Sequence, residues 1–204
     1  MDSEFQARAD ELIAAGQALH RQGLVPATSG NFSARLSDGR IAVTVSGRHK
    51  GQLGREDILL VDGEGHSFDG RKPSAETLLH TALYRRYPKV GCVLHPHSPN
   101  ATLLSRLAGS QVVLEDYELL KALQGIDTHE SRVVVPIFPN DQNIPRLALA
   151  VDEYLDHHDP VHGYIIAGHG FYTWGCSVAD ALRHVEALEF LFDLEVRLHG
   201  VKRL

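Results

Sequence analysis

The stretch Val90-Gly91-Cys92-Val93-Leu94-His95-Pro96-His97 constrains this chain more than any other. Its apolar run reads as a buried strand, and the strand ends in two histidines. Residues i and i+2 of a strand share a face, so His95 and His97 point the same way. Pro96 between them forbids helix and removes one backbone donor, which suits a strand end or edge. Two imidazoles side by side at the rim of a sheet are the beginning of a metal site, because His nitrogen suits zinc and its neighbours. Taken alone, the pair fits equally well as two loop histidines making ordinary hydrogen bonds.

A chain of 204 residues can bury one sizeable α/β core, and a second domain is not required, so residues 1–204 are read as a single domain. The net charge of -6 gives no basic excess for neutralising phosphates and argues against a general nucleic-acid binder. A small phosphorylated substrate needs only a local cluster of donors and is not excluded. Cys92 and Cys176 are far apart and form no CxxC, and Cys92 sits in the apolar strand, so for it a buried thiol in a reducing compartment is the expected reading. No apolar run reaches the length of a membrane span. The opening Met1-Asp2-Ser3-Glu4 is acidic where a signal peptide would be basic and then apolar, which makes the expected setting cytoplasmic, with no membrane partner.

Periodicity supplies the elements. Phe5, Ala9, Leu12, Ile13 and Leu19 fall at helical spacing over residues 4 to 22. Phe32 to Leu36 and Ile41 to Ser46 alternate like two strands joined by the turn Ser37-Asp38-Gly39-Arg40, and Ile58 to Asp62 reads as a third. A helix is expected from Pro73-Ser74 to Tyr87, with Ser74 as N-cap and Leu78, Leu79 and Leu83 facing inward. Further helices are expected over Pro99 to Leu107, Tyr117 to Leu123, Asn143 to His157 and Ser177 to His199. Strands are expected at Val112 to Glu115, Val133 to Ile137 and Gly163 to Ala167. The interleaving makes this a mixed α/β domain whose central sheet is covered by helices on both faces.

Three groups of residues carry candidate chemistry. His169, between Gly168 and Gly170, follows an apolar strand as His95 and His97 do. Three histidines at strand ends with a fourth position open is the arrangement of a catalytic zinc site. The pair His157-His158 lies at a helix end, where adjacent side chains diverge and the macrodipole explains a histidine, so it is read as solvent-facing. Thr28-Ser29-Gly30-Asn31 and Thr44-Val45-Ser46-Gly47 place small hydroxyl residues beside glycine, which suits a phosphate nest, although two ordinary turns would look the same. Lys50 and the N-terminus of the helix at Ser74 would add positive potential there. The acidic candidates are Glu76 and Glu118, either of which also fits a solvated partner of a helix dipole.

Ser29-Gly30-Asn31, Ser46-Gly47, Lys72-Pro73-Ser74-Ala75-Glu76, His95-Pro96-His97 and Gly168-His169-Gly170 occur in an order and spacing that resembles the class II aldolase family, whose members share the zinc-dependent fold of fuculose-phosphate aldolase. The resemblance covers nearly the whole chain and implies a largely antiparallel central sheet. Ala27 to Ser33, Glu118-Leu119-Leu120-Lys121, His169 to Gly175 and Phe190-Leu191-Phe192-Asp193 are most similar to the family's sugar-phosphate dehydratases of methionine salvage. The resemblance implies one Zn2+ per subunit on His95, His97 and His169. It also implies a phosphate pocket from Ser29, Gly30, Asn31, Ser46, Gly47 and Ser74, and a homotetramer with interfacial active sites. The dehydratases' acid/base glutamate falls on Glu118 and the aldolases' on Glu76, with Glu118 the expected proton-transfer group. Val45 and Ala75 depart from the aldolase pattern, and the chain stops at Leu204 without the tail that carries an aldolase tyrosine. These departures favour dehydration over an aldolase or epimerase reaction. A non-catalytic binding protein on the same fold is the reading from a different class.

Overall fold

The order of elements is α1 (Ser3–Arg21), β1 (Asn31–Arg35), β2 (Ile41–Thr44), β3 (Ile58–Val61), α2 (Thr77–Arg86), β4 (Cys92–His95), α3 (Pro99–Leu107), β5 (Gln111–Glu115), β6 (Arg132–Phe138), α4 (Ile144–His157), β7 (Gly163–Ile166), β8 (Gly170–Gly175) and α5 (Val178–Val201). Short 3-10 turns occupy Lys50–Gln52, Arg55–Asp57 and Glu118–Ala122. This computed structural model describes residues 3–158 and 160–201; Met1 and Asp2 of the acidic start, and the end of the chain at Leu204, lie outside the described residues.

All eight strands form one sheet in the order β3-β2-β1-β4-β8-β7-β6-β5. Every neighbouring pair is antiparallel except β6 with β7. The expected mixed α/β fold, with a largely antiparallel sheet between helices, is therefore what forms. Strand alternation sorts the side chains into two cores. Phe32, Ala34, Cys92, Leu94, Ile165 and Phe171 pack with α1, α3 and α5. Val43, Val93, Tyr164, Tyr172 and Trp174 pack with α2 and α4. Cys92 is the buried thiol that its apolar strand predicts.

Two expectations are corrected. The helix expected from Ser74 begins at Thr77, with Glu76 at its N-cap position and making no side-chain cap. Pro73 instead bridges Val45, and Ser74 N donates to Thr44 O at 3.2 Å. The segment before the helix is thus held extended against the end of β2. The second correction is β8, which went unread between Gly170 and Gly175 and lies at the centre of the sheet, between β4 and β7.

Arg35 ties three of these elements together. Its guanidinium donates to Tyr84 O at 3.2 Å, to Tyr87 O at 2.9 Å and to Val90 O at 2.9 Å, and it lies 4.9 Å from the Tyr84 ring centre. These carbonyls belong to the last turn of α2 and the approach to β4, where a helix leaves acceptors unpaired. Replacing Arg35 with Met removes the side-chain donor from the Tyr84 and Val90 carbonyls, while Tyr87 O keeps Val90 N–H at 3.0 Å. The loss expected in urea denaturation is about 2 kcal/mol, because hydrogen bonds to a charged donor are worth about that much. An unchanged unfolding midpoint would show that the tie carries no stability.

Candidate metal centre and substrate pocket

Antiparallel pairing of β1 with β4 sets Asn31 opposite His95. The crossing is close: Gly30 has a φ of +76°, and any Cβ there would press on the His95 carbonyl oxygen at 2.7 Å. His97 follows Pro96 beyond the strand end, and its N–H donates to Leu24 O at 2.8 Å. His169 arrives from the β7–β8 turn, where its own N–H donates to Ile166 O at 3.1 Å. The imidazoles come from two separate places in the chain, His95 and His97 from the end of β4 and His169 from the β7–β8 turn, and meet at one point. A ligand nitrogen from each lies within 4.8 Å of the others.

Their hydrogen bonds define the chemistry. His95 Nδ1 donates to Phe171 O at 2.8 Å, which leaves Nε2 with its lone pair turned inward. That Nε2 is 3.4 Å from His169 Nε2 and 3.3 Å from Glu76 Oε2, and His169 Nε2 is 3.0 Å from His97 Nε2. A lone pair and a carboxylate aimed at the same point are unfavourable until a cation lies between them. The donor set therefore fits a divalent metal ion, with three nitrogen ligands and room for another. The Tyr172 ring stacks on His95 at 4.1 Å between centres and fixes its plane.

Glu76 sits beside the three rings, its side chain only 12% exposed. Its Oε2 accepts from Asn31 Nδ2 at 2.7 Å and from the Tyr172 hydroxyl at 2.9 Å. Burial pushes its carboxyl up, but the electrostatic pull of the adjoining His95 and His169 rings, with these two donors, outweighs burial and holds it down at about 2. It is a carboxylate at neutral pH.

The mouth of the site is an open cavity of about 250 Å³, lined by Ser29, Gly30, Asn31, Ser46, Gly47, Ser74, Glu76, His97 and His169. Every residue expected at the phosphate or the metal thus reaches this pocket, except His95, which lies fully buried. Lys50 also lines it; its ammonium donates to Thr28 O at 3.0 Å and Arg48 O at 2.6 Å. Burial lowers Lys50 to about 8, with Asp57 opposing the shift. Ser29 Oγ and Ser29 N–H both donate to Pro26 O, at 2.6 and 3.1 Å, so both of this residue's donors are spent within its own loop.

Glu118 is not brought to the histidines within one chain. Its carboxylate pairs with Lys121 at 2.7 Å, is 76% exposed, and faces a separate shallow depression with Tyr117, Leu119, Phe190 and Leu191. Sequence reading also missed Tyr172, His80, Gln142 and Ile144 as neighbours of the site. Tyr172 would have followed from reading Phe171-Tyr172-Thr173-Trp174 as a strand, and His80 from its place one helical turn beyond Glu76. His157 and His158 are exposed, as expected.

Residues 10–196 match the Class II Aldolase and Adducin N-terminal domain. The chain belongs to that family. It is 74% identical over 202 residues, 99% of each chain, to a methylthioribulose-1-phosphate dehydratase of Methylococcus capsulatus. It is 58% identical over 193 residues to one of Pseudomonas savastanoi, covering 94% of this chain and 95% of that one. Among solved structures, YgbL from Escherichia coli superposes with a TM-score of 0.82 at 28% identity, over 97% of this chain and 91% of that one. The L-fuculose-1-phosphate aldolase of Thermus thermophilus gives 0.77 at 28% identity, over 96% of both chains.

The buried rings make the metal-free protein acid-sensitive. Burial lowers His95 from 6.5 to about 4, helped by His169 and opposed by Glu76; burial, with the charges of His95 and His169, lowers His97 to about 3. The unfolded chain takes up these protons at higher pH than the folded one does, so stability declines as pH falls from 6.5 through 4. Thermal melts of chelator-treated protein over that window are expected to show the decline, and a flat midpoint would mean the rings are not held neutral.

Proposed function

We propose that this class II aldolase family member is a hydro-lyase of methionine salvage that converts 5-methylthioribulose 1-phosphate to 2,3-diketo-5-methylthiopentyl 1-phosphate. The observation that carries the reading is the full-length likeness to the Methylococcus capsulatus dehydratase. The histidine triad beside a phosphate-type pocket is what such a reaction needs. The ion proposed for His95, His97 and His169 is zinc, one per subunit, and when bound it supplies Lewis acidity at the sugar's C2 carbonyl.

The chain's own residues do the rest. The loops at Ser29-Gly30, Ser46-Gly47 and Ser74 grip the phosphate through the Ser46 and Ser74 hydroxyls and glycine N–H groups, with Lys50 as the cation behind them. Holding the remote end supplies orientation, not chemistry. Dehydration then needs a proton taken from C3 and one given to the departing C4 hydroxyl, after which the enol tautomerises to the diketone. Glu118 is assigned this proton transfer, acting on a neighbouring subunit's site in a homotetramer with interfacial active sites. Its exposure beside Leu119 and Phe190, which are 37% and 53% exposed, supports that placement. Glu76, which already adjoins the histidines of its own chain, is the second candidate for the role.

Residues 1–204 are taken as one domain, supported by the single sheet. A cytoplasmic setting without nucleic-acid or membrane partners belongs to the same proposal, supported by the net charge of -6 and the small-metabolite pocket. Among the described residues no helix is long and apolar enough to cross a membrane.

Three measurements test the reading. Purified protein should dehydrate methylthioribulose 1-phosphate, lose that activity to a chelator, and leave fuculose 1-phosphate uncleaved; the reverse preference would make it an aldolase. Glu118→Gln should keep its metal and lower turnover at least about a hundredfold, whereas near-normal turnover moves the role to Glu76. Mixed oligomers of Glu118→Gln with His95→Ala subunits should recover activity that neither shows alone, since each supplies what the other lacks across the interface. No recovery would place Glu118 with the histidines of its own chain or outside the reaction.

A further inference from the structure

The sheet face that carries the site also buries a titratable ring with no place in the reaction as described. His80, on α2, is fully enclosed. Its Nδ1 is 2.7 Å from Ser33 Oγ, which in turn is 2.8 Å from the Tyr84 hydroxyl. On its other side, Nε2 is hydrogen-bonded to Asn31 Oδ1. Asn31 Nδ2 then donates to Glu76 Oε2 at 2.7 Å, so an unbroken chain runs from the buried tyrosine to the carboxylate beside the histidine triad.

The direction of every bond follows from the carboxylate end. Glu76 only accepts, so Asn31 must turn its amide nitrogen to it and its oxygen to His80. That oxygen needs a proton from Nε2. Burial lowers His80 to about 4, with Glu76 opposing, so the ring is neutral and its Nδ1 accepts the Ser33 proton. Ser33 oxygen is then left to accept from Tyr84. One tautomer and one amide orientation satisfy the whole chain, and reversing either puts two acceptors face to face in a buried site.

We propose that His80 is a positioning residue for Glu76, acting through Asn31: its Nε2–H locks the Asn31 amide in the orientation that offers an N–H to the carboxylate and holds it against His95 and His169. The Asn31 side chain is thereby committed to Glu76 and His80, and the neighbouring loop residues are left to bind the phosphate.

The kinetic part of the test rests on the dehydratase reading; the spectroscopic part does not. Hydrogen–nitrogen correlation spectra of protein labelled with nitrogen-15 histidine should show a neutral Nε2–H ring, assigned by its loss in His80→Gln. An Nδ1–H tautomer, or a charged ring at neutral pH, overturns the proposal whatever the substrate. His80→Met, of similar volume but without a donor, should keep its metal and lower kcat at least about tenfold, with KM changed less than about threefold. His80→Gln, which restores an N–H towards Asn31, should recover most of that loss. A His80→Met kcat within about twofold of native, a loss carried by KM, or a Gln variant no better than Met would each overturn it. Should the Met variant fail to fold, the tautomer decides alone.

Discussion

The register of β1 against β4 sets Asn31 opposite His95, and the arrangement of the pocket follows from that pairing. With this register Asn31, Ser33 and His95 face α2, while Phe32, Ala34 and Leu94 enter the opposite core. A slip of one residue would exchange the two sets, burying Asn31 among the leucines of α1 and α5 and taking Phe32 to the metal centre. Such a slip is costly on both faces, so the same hydrophobic alternation that stabilises the sheet also aims the ligands. β8 completes the placement from the other side of β4, where Tyr172 stacks on His95 and donates to Glu76.

Helix α2 is unusual in facing polar groups where a helix normally buries only apolar ones. Thr77, His80, Thr81 and Tyr84 are all enclosed. Each polar atom withdrawn from water without a partner costs about 1–3 kcal/mol, so such a face persists only if its hydrogen bonds are complete. The strand supplies Asn31 and Ser33 at i and i+2, and the helix supplies His80 and Tyr84 at i and i+4. The two periodicities match across the strand–helix contact, which is why a single imidazole can bridge both strand residues.

Much of this was legible in the chain. The histidine cluster was readable because each member ends an apolar stretch, and the loops that line the cavity beside it because small hydroxyl residues flank glycine. What could not be read is instructive in physical terms. β8 was hidden because Gly170 and Gly175 resemble turn signals, yet glycine at Gly170 serves close packing: any Cβ there would strike the Pro96 carbonyl and approach the His97 Cα to 3.0 Å. The start of α2 was misplaced because Ser74 is a good cap by propensity, whereas the bridge from Pro73 to Val45 holds it extended. Long-range pairing overrode local preference in both cases.

The two glutamates show why residue type does not settle a catalytic role. Glu76 is enclosed, already ionised and tethered by two donors, so it is well placed but has little freedom to move a proton. Glu118 is free to move, but as an exposed carboxylate paired with Lys121 it sits in water, where it is a weak base and its charge is screened. Strong proton transfer needs the mobility of the second in the dry surroundings of the first. One chain supplies those conditions at separate places. A second copy laid over the Leu119 and Phe190 patch would exclude water from Glu118 and carry it toward a metal centre, so in this reading assembly creates the base as well as the oligomer.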